Sequence, residues 1–420
     1  MNETRNILIG FDFGTDASQI CYYDRQTETA ESLPVKVGDD DSSFANCIST
    51  ADGKKWHFGP EAEYFSSQKG ESFISGIYGL CQSSQPVTVA GRSYRPGELL
   101  AVLIRESMEL LGIPEPLKKI SSFMLTTPRI SKVLVENVRL AYSILGFEPG
   151  RAFLQEYPES FYYETFSQKT DGRGRKIGLF VFEDRDVYFR KLDVDQTTRP
   201  ALVSCREGKR VTLSVDERQK DLDFCDLIQE SLGTDIYSTI YLVGNGFSQE
   251  WAKKSVVLLC KAQRKVYFGN NLYAKGACQA AREKVEDRRL KAYLYIGGDV
   301  VRYNVGMELL INGVPGYYSL IQGGGNWYDK EASCEILLDE EDTLKLQIGE
   351  MYSKEHRTVA MKLDGLPERP PKASRLRVEI AFTSGTTMKV KVTDLGFGDL
   401  YPSTGKVWEE VLTEKGGDRV

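Results

Sequence analysis

Long apolar runs are missing from this sequence. No stretch approaches the roughly 20 apolar residues that span a bilayer, so insertion into a membrane is not expected. Histidine is nearly absent. The two present, His57 and His356, have neither a nearby cysteine nor a second histidine at helical spacing, and none of the eight cysteines stands in a C-x-x-C pair. A metal site, which needs clustered nitrogen and sulfur ligands, is therefore not expected. The cysteines read instead as reduced, packed small hydrophobes. An excess of positive charge is missing too: 54 Lys and Arg against 60 Asp and Glu leave a net charge of −6, the wrong sign for a nucleic-acid partner. The polar leader at residues 1–5 runs straight into a strand without the pattern of a signal peptide, which predicts a cytoplasmic protein. Nucleophile elbow, HExxH site, Walker loop and catalytic Cys–His pair are all lacking.

What is present is a chain of 420 residues, 41% of them hydrophobic, enough for two or three packed domains. Residues 7–12 (ILIGFD) read as a buried strand, turned by Phe-Gly-Thr into a returning strand over 19–23. Helical spacing marks 97–111 and 131–145, the second with Ser131 as N-cap and Gly146 just past its end. Strands are predicted over 120–126, 152–155, 177–183, 186–192, 239–243 and 264–268. Helices are predicted near 158–166 and over 221–232, 248–260 and 270–284, and residues 171–175 (DGRGR) as a loop. Strand–helix alternation of this kind predicts an α/β domain over residues 1–285. The charge run EKVEDRRLK and the residues up to 298 read as a linker. Beyond it helical periodicity nearly vanishes. Short alternating runs separated by Gly, Pro, Asp and Asn predict an antiparallel β-sandwich over 299–413, followed by a tail at 414–420.

Two segments carry the chemistry of a phosphate site. In Gly10-Phe11-Asp12-Phe13-Gly14-Thr15 a strand ends in an Asp that can hold a hydrated Mg²⁺, and the Gly-containing turn exposes backbone N–H groups; the alternative is a plain hairpin turn. In Leu242-Val243-Gly244-Asn245-Gly246-Phe247 a buried strand reaches a helix N-terminus through two glycines, where backbone without Cβ admits a nucleotide; the alternative is a tight strand–helix turn. Gly323-Gly324-Gly325 has no helix after it and reads as a hairpin tip.

Taken in order, these segments resemble the DnaK-type heat-shock chaperones of the actin-like ATPase superfamily. Phe58-Gly59-Pro60-Glu61-Ala62-Glu63 stands where that family has a Gly-x-x-Ala-Lys segment, and Leu125-Thr126-Thr127-Pro128 with the following helix is similar to its "TVPA…A…AGL" stretch. Gln155-Glu156-Tyr157-Pro158 lies near its "EPTAA" position, and Tyr273-Ala274-Lys275-Gly276-Ala277 is similar to its closing "A-x-GAA" helix. Later, Asp299-Val300 with Gly306-Met307-Glu308 resembles "DV…LGIE", and Lys362-Leu363-Asp364-Gly365-Leu366-Pro367 with Arg377-Val378-Glu379-Ile380-Ala381-Phe382 resembles "LDGIPP…IEVTF". The resemblance implies an actin-like (ribonuclease H-like), two-lobed nucleotide-binding fold followed by a DnaK-type peptide-binding β-sandwich without a helical lid.

It also implies which residues would serve, and shows where this chain departs. Asp12, Gly14, Thr15, Glu156, Gly244 and Gly246 are the vestigial nucleotide site; Leu310, Ile336 and Leu344 fall at the peptide cleft. The second phosphate loop, an Asp with three glycines and a Thr in the family, becomes Glu183-Asp184-Arg185-Asp186, and the catalytic lysine becomes Glu63. Carboxylates at those positions repel a γ-phosphate. The segment between this strand pair and the adenosine motif is short, so the second lobe is expected to be reduced. The expected function is that of a chaperone-like protein that holds a protein or an extended peptide segment, with no cofactor or with weakly bound ATP or ADP and Mg, and without hydrolysis. Two alternatives remain open: a working ATPase chaperone in which Asp12, Thr15 and Glu156 suffice, and an assembly subunit bound to one dedicated partner.

Overall fold

The computed structural model describes residues 6–36, 42–168, 176–339, 341–351, 353 and 355–414. The loop expected at 171–175 and the tail after residue 414 lie outside them. The chain divides into two compact units, Met1–Tyr295 and Ile296–Val420.

In the first unit, apolar runs buried on both faces make the centre of each of two sheets, as parallel strands require. In the first sheet β1 (Ile7–Phe13) pairs antiparallel with β2 (Ala17–Asp24), and β2 with β3 (Thr29–Ser32). On its other side β1 runs parallel to β4 (Ile120–Thr127), and β4 parallel to β5 (Ala152–Glu156), giving the order β5-β4-β1-β2-β3. Helices α1 (Pro96–Ser107), α2 (Lys132–Leu145) and α3 (Tyr157–Ser167) alternate with the later strands. The second sheet repeats the plan. β6 (Lys176–Glu183), β7 (Asp186–Asp195) and β8 (Ala201–Thr212) are an antiparallel meander, and β9 (Tyr237–Gly244) and β10 (Lys265–Phe268) add in parallel beside β6, in the order β10-β9-β6-β7-β8. Its helices are α4 (Glu217–Leu232), α5 (Lys253–Leu259) and α6 (Leu272–Val285). The chain thus lays down β-β-β-α-β-α-β-α twice.

Local chemistry sets the helix ends. The Ser131 hydroxyl accepts from the Leu134 amide at 3.1 Å, and Gly146 closes α2 in the left-handed region at φ 74°. Where α6 crosses α3 the backbones touch: a Cβ on Gly276 would sit 1.9 Å from the Ser160 carbonyl oxygen. Strand β1 meets α6 as closely, since a Cβ on Gly10 would lie 2.2 Å from the Ala274 oxygen. Between β3 and α1 the first half carries an insertion of short strands and the helix Gly59–Lys69.

Two expectations are corrected here. Helix α5 begins at Lys253 rather than 248, because Asp221 on α4 takes the amides of Lys254 and Ser255 at 2.8 and 2.9 Å and fixes the start there. Residues 286–298 are not simply a linker. Tyr293–Tyr295 is a strand, parallel to β8 at residues 201–203, and its Tyr295 is part of the aromatic core of the second half.

The second unit has two four-stranded antiparallel sheets. One is ordered β12 (Val314–Ile321), β11 (Tyr303–Ile311), β14 (Thr343–Glu350), β15 (His356–Lys362). The other is ordered β13 (Glu331–Leu338), β16 (Ser374–Phe382), β17 (Thr387–Asp394), β18 (Val407–Thr413). Burial alternates along β14, β16 and β17, so each sheet covers one face only. A buried ion pair ties this unit together: the Arg369 guanidinium donates to both carboxylate oxygens of Asp394, at 2.7 and 2.9 Å. Asp394 also accepts from the Gly396 and Thr404 amides, and these partners hold its carboxyl well below the usual carboxylate range. Gly323 to Gly325 do not form a hairpin tip. The amide of Gly324 donates to Val301 and that of Val301 to Gly325, in the connection that leads from one sheet to the other.

Candidate functional site

The first unit contains a cleft of about 810 Å³ into which both sheets send residues. The strand-end turns place them. Asp12 and Gln19 face each other in the β1–β2 pairing, so their side chains leave the sheet on one side. From the second sheet the β6–β7 turn contributes Glu183 and Asp184, and β7 and β8 contribute Tyr188, Arg190, Glu207 and Arg210.

Asp12 lies at the floor, only 6% exposed. Its Oδ1 accepts a hydrogen bond from the Tyr157 hydroxyl at 2.7 Å. Burial pushes the carboxyl up to about 7, with the Tyr157 bond pulling the other way. The Tyr157 ring stacks on Tyr273 with centroids 3.8 Å apart and planes 7° from parallel. The same hydroxyl would stand 3.0 Å from a Cβ on Gly14, so Tyr157 covers the first turn as well as its Asp. That turn is held from beneath: Gly14 donates to the Ala17 carbonyl at 3.1 Å and accepts from the Asn46 amide nitrogen at 2.6 Å. Thr15 is exposed and bonds its neighbour Asp16. Burial also pushes the Tyr157 and Tyr273 hydroxyls well above the usual phenol range.

The site residues expected from sequence are brought together only in part. Asp12, Gly14, Thr15 and Gly244 line the cleft. Glu156 is at the start of α3, where one carboxylate oxygen accepts from the Ile130 amide at 2.9 Å. The space left by the two later glycines is taken by protein: a Cβ on Gly244 would lie 1.9 Å from the Phe182 carbonyl oxygen, and one on Gly246 1.9 Å from that of Asp184. Their bareness lets the end of β9 close on the β6–β7 turn. Glu63 stands exposed on the helix Gly59–Lys69, among neither the residues of the cleft nor their hydrogen-bond partners. In the second unit Leu310 is 59% exposed, whereas Ile336 and Leu344 are core residues at 8% and 2%, and Ile336 belongs to the other sheet. Strand alternation sends these three side chains to different places rather than to one cleft.

Sequence reading passed over Tyr157, Tyr273, Arg190 and Gln19. Tyr157 and Tyr273 stand in separate sequence motifs with no role implied for either; what joins them is the crossing of α3 and α6. Electrostatically the cleft is acid-rich. Its carboxyl groups are Asp12, Asp16, Glu183, Asp184 and Glu207, against the guanidiniums of Arg129, Arg190 and Arg210. Two of those three are already engaged, Arg190 by Glu207 at 3.1 Å and Arg210 by Glu183 at 3.2 Å. A triphosphate would meet carboxylates at the second turn and a tyrosine hydroxyl over the first, so these residues do not fit Mg-ATP in a hydrolytic pose. Among the described residues no group of three His, Cys, Asp or Glu is arranged to hold a metal ion, and no helix is long and apolar enough to cross a membrane.

Residues 29–298 match the C-terminal part of a family of unknown function (DUF5716), and residues 300–413 match a domain of unknown function (DUF8552). No curated protein matches the chain.

Proposed function

The chain belongs to the family of unknown function DUF5716, and since that membership brings no activity with it, we propose from the site itself that this is a chaperone-like binding protein with a non-hydrolysing, actin-like first unit. The observation that carries the reading is the Tyr157 hydroxyl seated on Asp12 and over Gly14, backed by Tyr273. Where a hydrolytic site needs metal and donors aimed at developing negative charge, this cleft offers a capped carboxyl and a turn carrying Glu183 and Asp184. The twice-repeated β-β-β-α-β-α-β-α order supports the actin-like frame, and the pair of antiparallel sheets beyond it supports a DnaK-type peptide-binding sandwich.

Binding would fall to that second unit, where the β11–β12 hairpin exposes Leu310, Ile311, Val314, Tyr317 and Tyr318. Strand β12 is a sheet edge, and β11 pairs with β14 only over residues 303–306, so residues 307–311, paired with β12 on one side, have no ladder partner on the β14 side. Edge backbone with flanking apolar pockets is how an extended peptide is held. We place the protein in the cytoplasm, with a protein or peptide segment as its partner and no nucleic acid. Steady-state turnover of Mg-ATP should stay at background, and calorimetry with and without Mg²⁺ should show weak nucleotide binding or none. A turnover rate well above buffer that disappears in Asp12→Ala would overturn the reading.

A further inference from the structure

The cleft of the first unit contains buried polar groups that its hydrogen bonds leave unused. Gln19 is 7% exposed, lines the cleft, and its Oε1 has no hydrogen-bond partner among the described residues. The Tyr273 hydroxyl, equally buried and in the same cleft, has none either. Asp12 uses Oδ1 for Tyr157, and no described hydrogen bond reaches Oδ2. A buried polar atom without a partner costs on the order of 1–3 kcal/mol; the Gln19 oxygen needs a donor, and the Tyr273 hydroxyl, which can donate or accept, needs a partner of either kind.

The donor needed is positively charged. Asp12 and Gln19 are side by side and both offer oxygen. With the pairs Arg190–Glu207 and Arg210–Glu183 set aside, the rim adds Asp16 and Asp184 against Arg129, so carboxyl groups remain in excess. Tyr78, Tyr157 and Tyr273 supply aromatic surface in the same space, and aromatic rings attract organic cations. A nucleotide brings the opposite charge. A divalent ion held directly by the protein would ask for three or more ligating side chains at close range, and no such group exists among the described residues.

We propose that this cleft is a receptor for a primary ammonium group, with Asp12 and Gln19 as its acceptors and the tyrosines as its walls. The inference rests on the reading of the cleft as one that does not process ATP. The ammonium has two sources of the same chemistry, a free alkylamine or a lysine side chain presented by a protein. Both would place an N⁺–H donor against Asp12 Oδ2 and Gln19 Oε1.

The test is calorimetric titration of the full chain with cadaverine and with Nα-acetyl-lysine methylamide, using Nα-acetyl-norleucine methylamide as the uncharged control. Saturable binding of at least one ammonium probe, with none of the control, is expected. Asp12→Asn, which keeps the shape and removes the charge, should weaken it by about tenfold or more. Gln19→Leu should weaken it about fivefold. Thermal melts of both variants verify folding. Cadaverine binding alone assigns a free amine; binding of the lysine derivative alone assigns a side chain of a partner. Absence of saturation with either amine, equal binding of the control, or undiminished binding in folded Asp12→Asn overturns the proposal. A parallel Mg-ATP arm separates the two readings. Asp12-dependent turnover would overturn both, whereas failure of the amines without turnover overturns this one alone.

Discussion

Asp12 is a carboxyl whose environment opposes its charge. Folding raises it from its ordinary 3.8 to about 7, so between those values the folded chain binds more protons than the unfolded chain. Stability linked to this group is fully present below pH 3.8 and is lost as pH rises through 7, at up to about 1.4 kcal/mol per pH unit. Asp12→Asn resembles the protonated form and should therefore raise the melting temperature at pH 8 and change it little at pH 4. An equal shift at both pH values in scanning calorimetry would show that the carboxyl ionises freely in the fold. Asp394 is the opposite case. Its carboxyl is held low by Arg369 and by backbone donors, so its contribution is present above its ordinary 3.8 and is lost as pH falls below that value. Asp394→Ala strands a buried guanidinium and two amides at once and should cost about 3–5 kcal/mol. Arg369→Ala leaves Asp394 its amide donors and should cost less. Urea unfolding of the two variants at neutral pH gives the order directly.

At the scale of elements, Gly276 separates helix propensity from packing. In an exposed helix, Gly→Ala gains up to about 1 kcal/mol. Here the added methyl would meet the Ser160 carbonyl at 1.9 Å, and neither helix backbone can move away cheaply. Gly276→Ala should lower stability by about 1–3 kcal/mol, and a denaturant midpoint above that of the parent would show that the helices are not in contact there. The same division between local and packing signals explains what was legible in the sequence. α2 was readable end to end because Ser131, the apolar stripe and Gly146 are local signals. Strand β8 was not read at all: Glu207, Gly208, Lys209 and Arg210 lie exposed in its second half, and such a charged run hides a strand. The β1 turn with Asp12 was visible as a motif. Its cap was not, because Tyr157 is 145 residues from Asp12, and only the packing of α3 brings them together. The exposed Leu310 and the buried Ile336 and Leu344 looked alike in sequence because alternation fixes two faces per strand without saying which is covered.

For the molecule as a whole, the division after Tyr295 has a measurable form. A fragment of residues 296–420 carries both antiparallel sheets and the Arg369–Asp394 pair, so it should fold alone and unfold in one transition. In this fragment Leu310→Asp, at an exposed hairpin position, should change stability by no more than about 0.5 kcal/mol and abolish binding to a library of fluorescent apolar peptides. Leu344→Asp should prevent folding. Peptide binding that survives Leu310→Asp would place the binding surface elsewhere on the unit. A cut at residue 285 would instead remove Tyr293–Tyr295 from the edge of the second sheet and leave residues 201–203 of β8 unpaired on that side.

The contact between Gly10 and the backbone at Ala274 and Cys278 also has a meaning in time. Strand β1 leaves the ribosome well before the helix that covers it, which begins about 260 residues further along the chain. At ordinary rates of translation this interval is roughly ten to fifty seconds. Throughout it the apolar strand ILIGFDF has no lid on the α6 side. The first unit therefore cannot complete its core during synthesis until α6 has emerged, and during that interval the nascent chain is itself the kind of exposed apolar segment that chaperones hold.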